Sequence, residues 1–264
     1  MSDRVHLTID NAVATVRLSR PDKMNGLDLP MFEALIETGK QVAADPSIRA
    51  VVLHGEGKAF CAGLDFMSFM GGPEIGQRLL DRGAESPANV AQRPAWVWQE
   101  VPVPVIAAVH GVAYGGGLQI ALGADIRIVT PDAKLSVMEI KWGLVPDMSI
   151  TQTLLRQVPL DVAKELTFTG RVISGTEAVE LGIATRVSDD PLREALDLAK
   201  LIATKSPHAI RSGKALLNEA AELSRADALR LETDLQKELL GSPNQMEAVQ
   251  SNMTKRAPKF ADPE

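Results

Sequence analysis

Three consecutive glycines, Gly115, Gly116 and Gly117, stand between an apolar run and an Ala/Leu/Ile-rich segment, and Gln119 is polar where its neighbours are not. The run before them reads as a strand and the segment after them as a helix. Backbone N–H groups are unpaired at such a junction and the helix dipole is positive, so it suits developing negative charge. Three glycines can also make nothing more than a tight turn. A dinucleotide fingerprint is excluded because Ile120 occupies the place of its third glycine, and a P-loop because no Gly-Lys-Ser/Thr follows. A second segment, GKAFCAGLDF at 57–66, also follows a strand-like run. There Ala62 and Gly63 let the chain pass close to a ligand and leave the Leu64 N–H available. Loops after neighbouring strands can converge, and two converging N–H groups form an oxyanion hole. Each donor of that kind stabilises a developing enolate or alkoxide by about 3–4 kcal/mol.

The elements that must position these loops follow from the same chain. Residues 5–18 alternate apolar and polar on either side of Asp10-Asn11, which predicts a hairpin. Asp28 signals the cap of a helix in which Phe32, Leu35, Ile36 and Val42 fall near helical spacing, with Pro30 in the first turn. IRAVVLHG at 48–55 reads as a buried strand. The alternation recurs, with helical content within 73–100, a strand at 103–111, a short helix from Gly117, and strands at 125–130 and 133–137. This is α/β architecture with two strands, not one, per helix.

From Pro191 onward every segment is helical, broken by Pro, Ser and Gly. The chain therefore divides into a body, residues 1–190, and an all-helical C-terminal region, residues 191–264, of a size marginal for independent stability. On its third helix Ala228, Leu231, Leu235 and Leu239 share one face. That region is expected to pack on the body or on another subunit.

At 264 residues, 45% of them hydrophobic, with a mean hydropathy of 0.00, the chain is long and apolar enough for a substantial globular core. No window approaches the roughly 18–20 apolar residues of a membrane span, and MSDRVHLTID lacks the pattern of a signal peptide, so a cytoplasmic location is expected. The single Cys61 rules out an internal disulfide and reads as a small buried hydrophobe. His6, His54, His110 and His208 show no zinc spacing, and His110 reads as a satisfied strand-end residue. A net charge of −6 with mixed signs argues against a nucleic-acid partner.

Five stretches in order, RPDKMNGLD (20–28), GKAFCAGLDF (57–66), the long run 104–147, FTGRVISGTEAVELGIATRV (168–187) and KRAPKFADP (255–263), resemble the enoyl-CoA hydratase/isomerase, or crotonase, superfamily over nearly the whole chain. The resemblance implies a crotonase-like spiral of ββα units and a C-terminal trimerisation region, with self-association as a trimer or as a hexamer of two trimers. It also implies an acyl-CoA thioester substrate, with coenzyme A part of that substrate and no separate cofactor or metal. The thioester oxygen would lie between the N–H groups of Leu64 and Gly116. Lys23, Met24 and Ala62 are expected near the adenosine or pantetheine portion, with Gly63, Asp65, Gly115 and Gln119 completing the substrate site.

Hydratases of that superfamily carry two catalytic glutamates, and here the corresponding positions hold Gln119 and Glu139. An amide does not exchange protons near neutral pH, so Gln119 can orient a water or a carbonyl but cannot act as a base; it also reads as a polar residue on a partly exposed helix face. Glu139, at the end of a predicted strand, reads as a solvated acid or as a carboxylate raised in pKa by burial beside the thioester. Asp147 stands where hydratases tend to carry Gly. Its place suits a helix N-cap, and it is also where the dienoyl-CoA isomerase-like branch sets a second carboxylate. Dehalogenase-like members have a nucleophilic Asp there, but an aromatic residue in place of the Glu. Phe66, Met67, Phe69, Met70, Trp96 and Trp98 read as core, or as the wall of an acyl tunnel. Three activities follow. The favoured one is double-bond isomerisation of an enoyl- or dienoyl-CoA by Glu139 and Asp147; the others are hydration by Glu139 alone, and acyl-CoA binding without turnover.

Overall fold

The computed structural model describes residues 3–69, 73–83 and 86–263. The expected hairpin is formed by β1 (Val5–Asp10) and β2 (Val13–Leu18), antiparallel from Val5 opposite Leu18 to Asp10 opposite Val13. Asp28 caps α1 (Leu29–Ala44) by accepting from the Met31 N–H at 3.0 Å. The apolar stripe of that helix, including Met31, Phe32, Leu35 and Val42, is buried. Next come β3 (Ala50–Gly55), α2 (Phe66–Phe69), α3 (Pro73–Leu80), α4 (Arg93–Glu100), β4 (Val105–Val109), β5 (Val112–Tyr114) and α5 (Gly116–Gly123). The body ends with β6 (Ile126–Val129), β7 (Lys134–Ser136), α6 (Ile150–Thr153), α7 (Leu160–Thr169), β8 (Ile173–Ser174), α8 (Gly175–Glu180) and β9 (Arg186–Val187).

One sheet runs β1-β2-β3-β4-β6-β9 and is parallel from β2 onward; a smaller sheet runs β5-β7-β8. Strands of a parallel sheet covered on both faces are apolar throughout. Val51, Leu53, Val105, Ala107 and Val109 face the main core with Phe32, Phe60 and Trp98. The alternate positions Ala50, Val52, Ile106, Ala108 and Ile128 form a second core on the opposite face. That face is closed by α9 (Pro191–Ala203) through Ala195 and Ala199. The first C-terminal helix thus completes the body.

The remaining helices, α10 (Pro207–Ala220), α11 (Arg225–Leu239) and α12 (Pro243–Met253), contribute little to either core. The Lys214 ammonium ties α10 to the body, donating to the Trp98 and Val103 carbonyls at 3.1 and 3.0 Å and to Asp125 Oδ2 at 2.8 Å. Burial lowers its pKa, against the opposing pull of Asp125. Ala228, Leu231, Leu235 and Leu239 are the least exposed positions of α11, a helix that packs beside α10. Among the described residues no helix is long and apolar enough to cross a membrane.

Three local features differ from the sequence expectations. The short strands β5, β8 and β9 were not anticipated, since two or three residues carry too little alternation to be read. The glycine-led helix starts at Gly116, one residue early. Glu139 does not end a strand, because β7 stops at Ser136 and Glu139 opens a 3-10 turn, Glu139–Trp142.

Candidate active site

The smaller sheet brings the two glycine loops together. Cys61 bridges to Ala113, and Ala113 in β5 pairs in parallel with Leu135 in β7. Leu64 follows Cys61 at the same offset as Gly116 follows Ala113, and Glu139 lies one residue further beyond Leu135. Three passes of the chain therefore end side by side, two in an N–H group and one in a carboxyl. The Leu27 N–H donates to the Gly63 carbonyl at 2.8 Å and the Asp65 N–H to the Leu27 carbonyl at 2.9 Å. The Leu64 N–H between them has no partner among the described residues, and neither has the Gly116 N–H in the first turn of α5. Gly63 has φ +84°, and a Cβ there would lie 2.5 Å from the Tyr114 carbonyl oxygen and 3.6 Å from the Gly116 nitrogen. Only glycine allows that approach.

Asn25 anchors this arrangement, and sequence reasoning assigned it no role. Fully buried, it donates from Nδ2 to the carbonyls of Glu56, Ala59 and Phe60 at 2.9, 2.8 and 3.1 Å. Its Oδ1 accepts from the Arg20 N–H at 2.8 Å. The available signal was an Asn beside a Gly in a turn, a residue type that tolerates the left-handed backbone found here, φ +56°. The Cys61 thiol donates to the Asn25 carbonyl, and burial pushes its pKa up to about 12, in keeping with a small buried hydrophobe. His110 Nε2 is satisfied by the Gly57 carbonyl at 3.0 Å.

The Asp65 side chain is engaged with protein. Its carboxylate is held by Arg20 at 2.8 Å and by the Ser68 hydroxyl at 2.9 Å. Burial acts to raise its pKa, but those two partners outweigh it and the net shift is downward. Lys23 and Met24 are exposed beside Ala62, whose N–H donates to the Met24 carbonyl at 2.9 Å.

A cavity of about 520 Å³ opens in front of the two free N–H groups. Ala62, Gly63, Leu64, Gly115 and Gly116 line one side, Glu139 and Asp147 are in its wall, and the rest is largely apolar, including Phe32, Leu79, Met138 and Met148. Phe66 and Trp142 stand with ring centroids 4.1 Å apart at 35° and both line it. Trp98 is buried in the core, Met67 is 76% exposed, and Trp96 lies outside the lining. Met70 and the side chain of Phe69 lie outside the described residues.

Gln119 is buried at 1% exposure, so it does not sit on an exposed helix face. Its Nε2 donates to Glu139 Oε1 at 2.6 Å, and its Oε1 accepts the Met148 N–H at 2.8 Å. Burial raises the Glu139 pKa, and the nearby Asp147 charge adds to this, while hydrogen bonds from its own N–H and from Gln119 act against it. The Asp147 pKa is also raised, by loss of water around its carboxyl where the residue lines the cavity, although Asp147 keeps an exposed edge. Asp147 caps no helix. The chain turns through Ser149 in the left-handed region, φ +68°, before α6 starts at Ile150, and no side chain caps that helix. Among the described residues no three His, Cys, Asp or Glu side chains gather closely enough to hold a metal ion.

A family model described as enoyl-CoA hydratase/isomerase matches residues 8–263. The chain belongs to that family. It is 32% identical over 247 residues to an enoyl-CoA hydratase of Mycobacterium tuberculosis, covering 93% of this chain and 91% of that one. It is 31% identical over 261 residues to the mitochondrial Delta(3,5)-Delta(2,4)-dienoyl-CoA isomerase of Mus musculus, covering 94% of this chain and 78% of the mouse protein. The crystal structure of an enoyl-CoA hydratase from Bacillus anthracis superimposes with a TM-score of 0.90 at 28% identity, covering 97% of this chain and 98% of the other. The fold is the crotonase fold, with the helical C-terminal region expected of it.

Proposed function

We propose that this family member isomerises a double bond in an enoyl- or dienoyl-CoA thioester. The observation that carries this reading is that two carboxyls, Glu139 and Asp147, share one cavity with raised pKa values, while the α5 side chain next to them, Gln119, is an amide. The thioester carbonyl oxygen accepts hydrogen bonds from Leu64 and Gly116. One carboxylate removes a proton from carbon, and the electron pair moves through the conjugated system onto that oxygen as an enolate. The other, as the carboxylic acid, returns a proton at a different carbon. Nothing is gained or lost overall, and the double bond has moved. A raised pKa brings a carboxyl nearer the balance of acid and base forms that proton exchange at neutral pH requires. Positioned acid–base groups contribute about 10²–10⁴ in rate, so two carboxyls suffice without one at position 119.

Hydration by Glu139 alone, with Gln119 ordering a water, is the second reading, supported by the relatives named as hydratases. The test is incubation of purified protein with a panel of enoyl-, dienoyl- and hydroxyacyl-CoA thioesters, with chromatographic separation ahead of mass spectrometry. Isomerisation shifts retention at constant mass. A product heavier by one water replaces the isomerase reading with the hydratase one, and saturable binding without any product leaves acyl-CoA binding.

A further inference from the structure

We propose that Gln119 is a positioning residue that leaves Oε2 of Glu139 as the one oxygen to exchange a proton with substrate. The inference rests on reading Glu139 as a proton-transfer group. The Met148 N–H can only donate, so the Gln119 atom 2.8 Å from it must be the carbonyl oxygen. The orientation of the amide is thereby decided by chemistry, and its NH₂ is turned to Glu139 Oε1 at 2.6 Å. The same oxygen packs against Gly115: a Cβ there would lie 3.0 Å from Oε1 and 3.8 Å from Oε2. Oε2 is buried and has no hydrogen-bond partner among the described residues, in a side chain that lines the cavity. A carboxylate oxygen already accepting a short bond from an amide is the poorer proton acceptor, and the oxygen with its lone pairs unused is the better one.

Gln119 itself does not line the cavity. Both polar atoms of its amide are engaged with protein, which argues against the substrate contact expected from sequence. Because Met148 directly follows Asp147, the one amide also ties the backbone beside the second carboxyl to the first. A carboxylate at position 119 would do the opposite, setting two negative charges against each other and making them share one proton.

The test compares wild type with Gln119→Met and Gln119→Glu. The Glu139 carboxyl is titrated in substrate-free protein by ¹³C NMR of glutamate-labelled chain, with Glu139→Gln assigning the resonance. Loss of the donor in Gln119→Met should move the Glu139 titration to higher pH. On whichever thioester the wild type converts, kcat should fall roughly 10- to 100-fold with KM little changed, and the acid limb of the pH profile should move with the NMR value. Gln119→Glu keeps the shape of the side chain and carries the test if Gln119→Met does not fold; there the two carboxyls should titrate in two separated, coupled steps. An unchanged Glu139 titration in Gln119→Met, or independent titration in Gln119→Glu, overturns the proposal. So does a rise in KM at constant kcat, which would mean that the amide touches substrate. If wild type converts no thioester the isomerase reading fails, and the titration still decides the role of Gln119.

Discussion

The Asn25 side-chain amide donates to the Ala59 carbonyl at 2.8 Å, joining the turn at 20–26 to the loop that carries the Leu64 N–H. The same NH₂ serves the carbonyls of Glu56 and Phe60, so Asn25→Ala strands three buried or half-buried acceptors. A buried polar group left unpaired costs about 1–3 kcal/mol. A loss of that size is expected in urea denaturation, together with weaker calorimetric binding of a non-reactive acyl-CoA analogue, because the Leu64 donor is no longer held in place. Unchanged binding would show that the loop keeps its shape without Asn25.

Asp147→Asn should lower kcat by about 10² or more, since the variant keeps the shape of the side chain and loses only the exchangeable proton. Its effect on stability should have the opposite sign. The folded-state pKa of Asp147 is raised, so its contribution is fully present below the unfolded-state value and is lost as pH rises through the folded-state value. The amide has no charge to desolvate. Thermal denaturation should therefore favour the variant increasingly as pH rises from about 4, the ordinary carboxylate value, and level off once pH passes the raised folded-state value. A full-activity variant with a pH-independent difference in Tm would place Asp147 outside the chemistry.

Self-association as a trimer or hexamer is the third expectation, and the exposed apolar residues of the C-terminal helices motivate it. Leu217 and Met253 are 77% and 79% exposed. Leu217→Glu with Met253→Glu should reduce the particle mass seen by light scattering while leaving the circular dichroism unchanged. A wild-type monomer would refute the expectation. Truncation after Asp190 is less informative, because it removes Ala195 and Ala199 from the second core and so tests folding before association.

The sequence by itself determined the hairpin, the Asp28 cap, the buried strands and the two glycine loops. Each rests on short-range rules: alternation in 5–18, a capping side chain three residues ahead of the N–H it serves, unbroken apolar runs such as VIAAV, and backbone that only glycine permits. Only the tertiary structure decided what those pieces meet. That Leu64 and Gly116 end side by side depends on the pairing of Cys61 with Ala113, an isolated bridge with no local pattern to announce it. Asp147 looked like a cap because Asp commonly is one, but the chain makes a left-handed turn at Ser149 before the helix begins. Gln119 looked half-exposed because one polar residue on an apolar helix gives no sign of a partner; its partners, Glu139 and the Met148 N–H, come from segments far along the chain. Periodicity records which face of an element is buried, whereas hydrogen bonds between distant segments depend on strand order and register, which no local window contains.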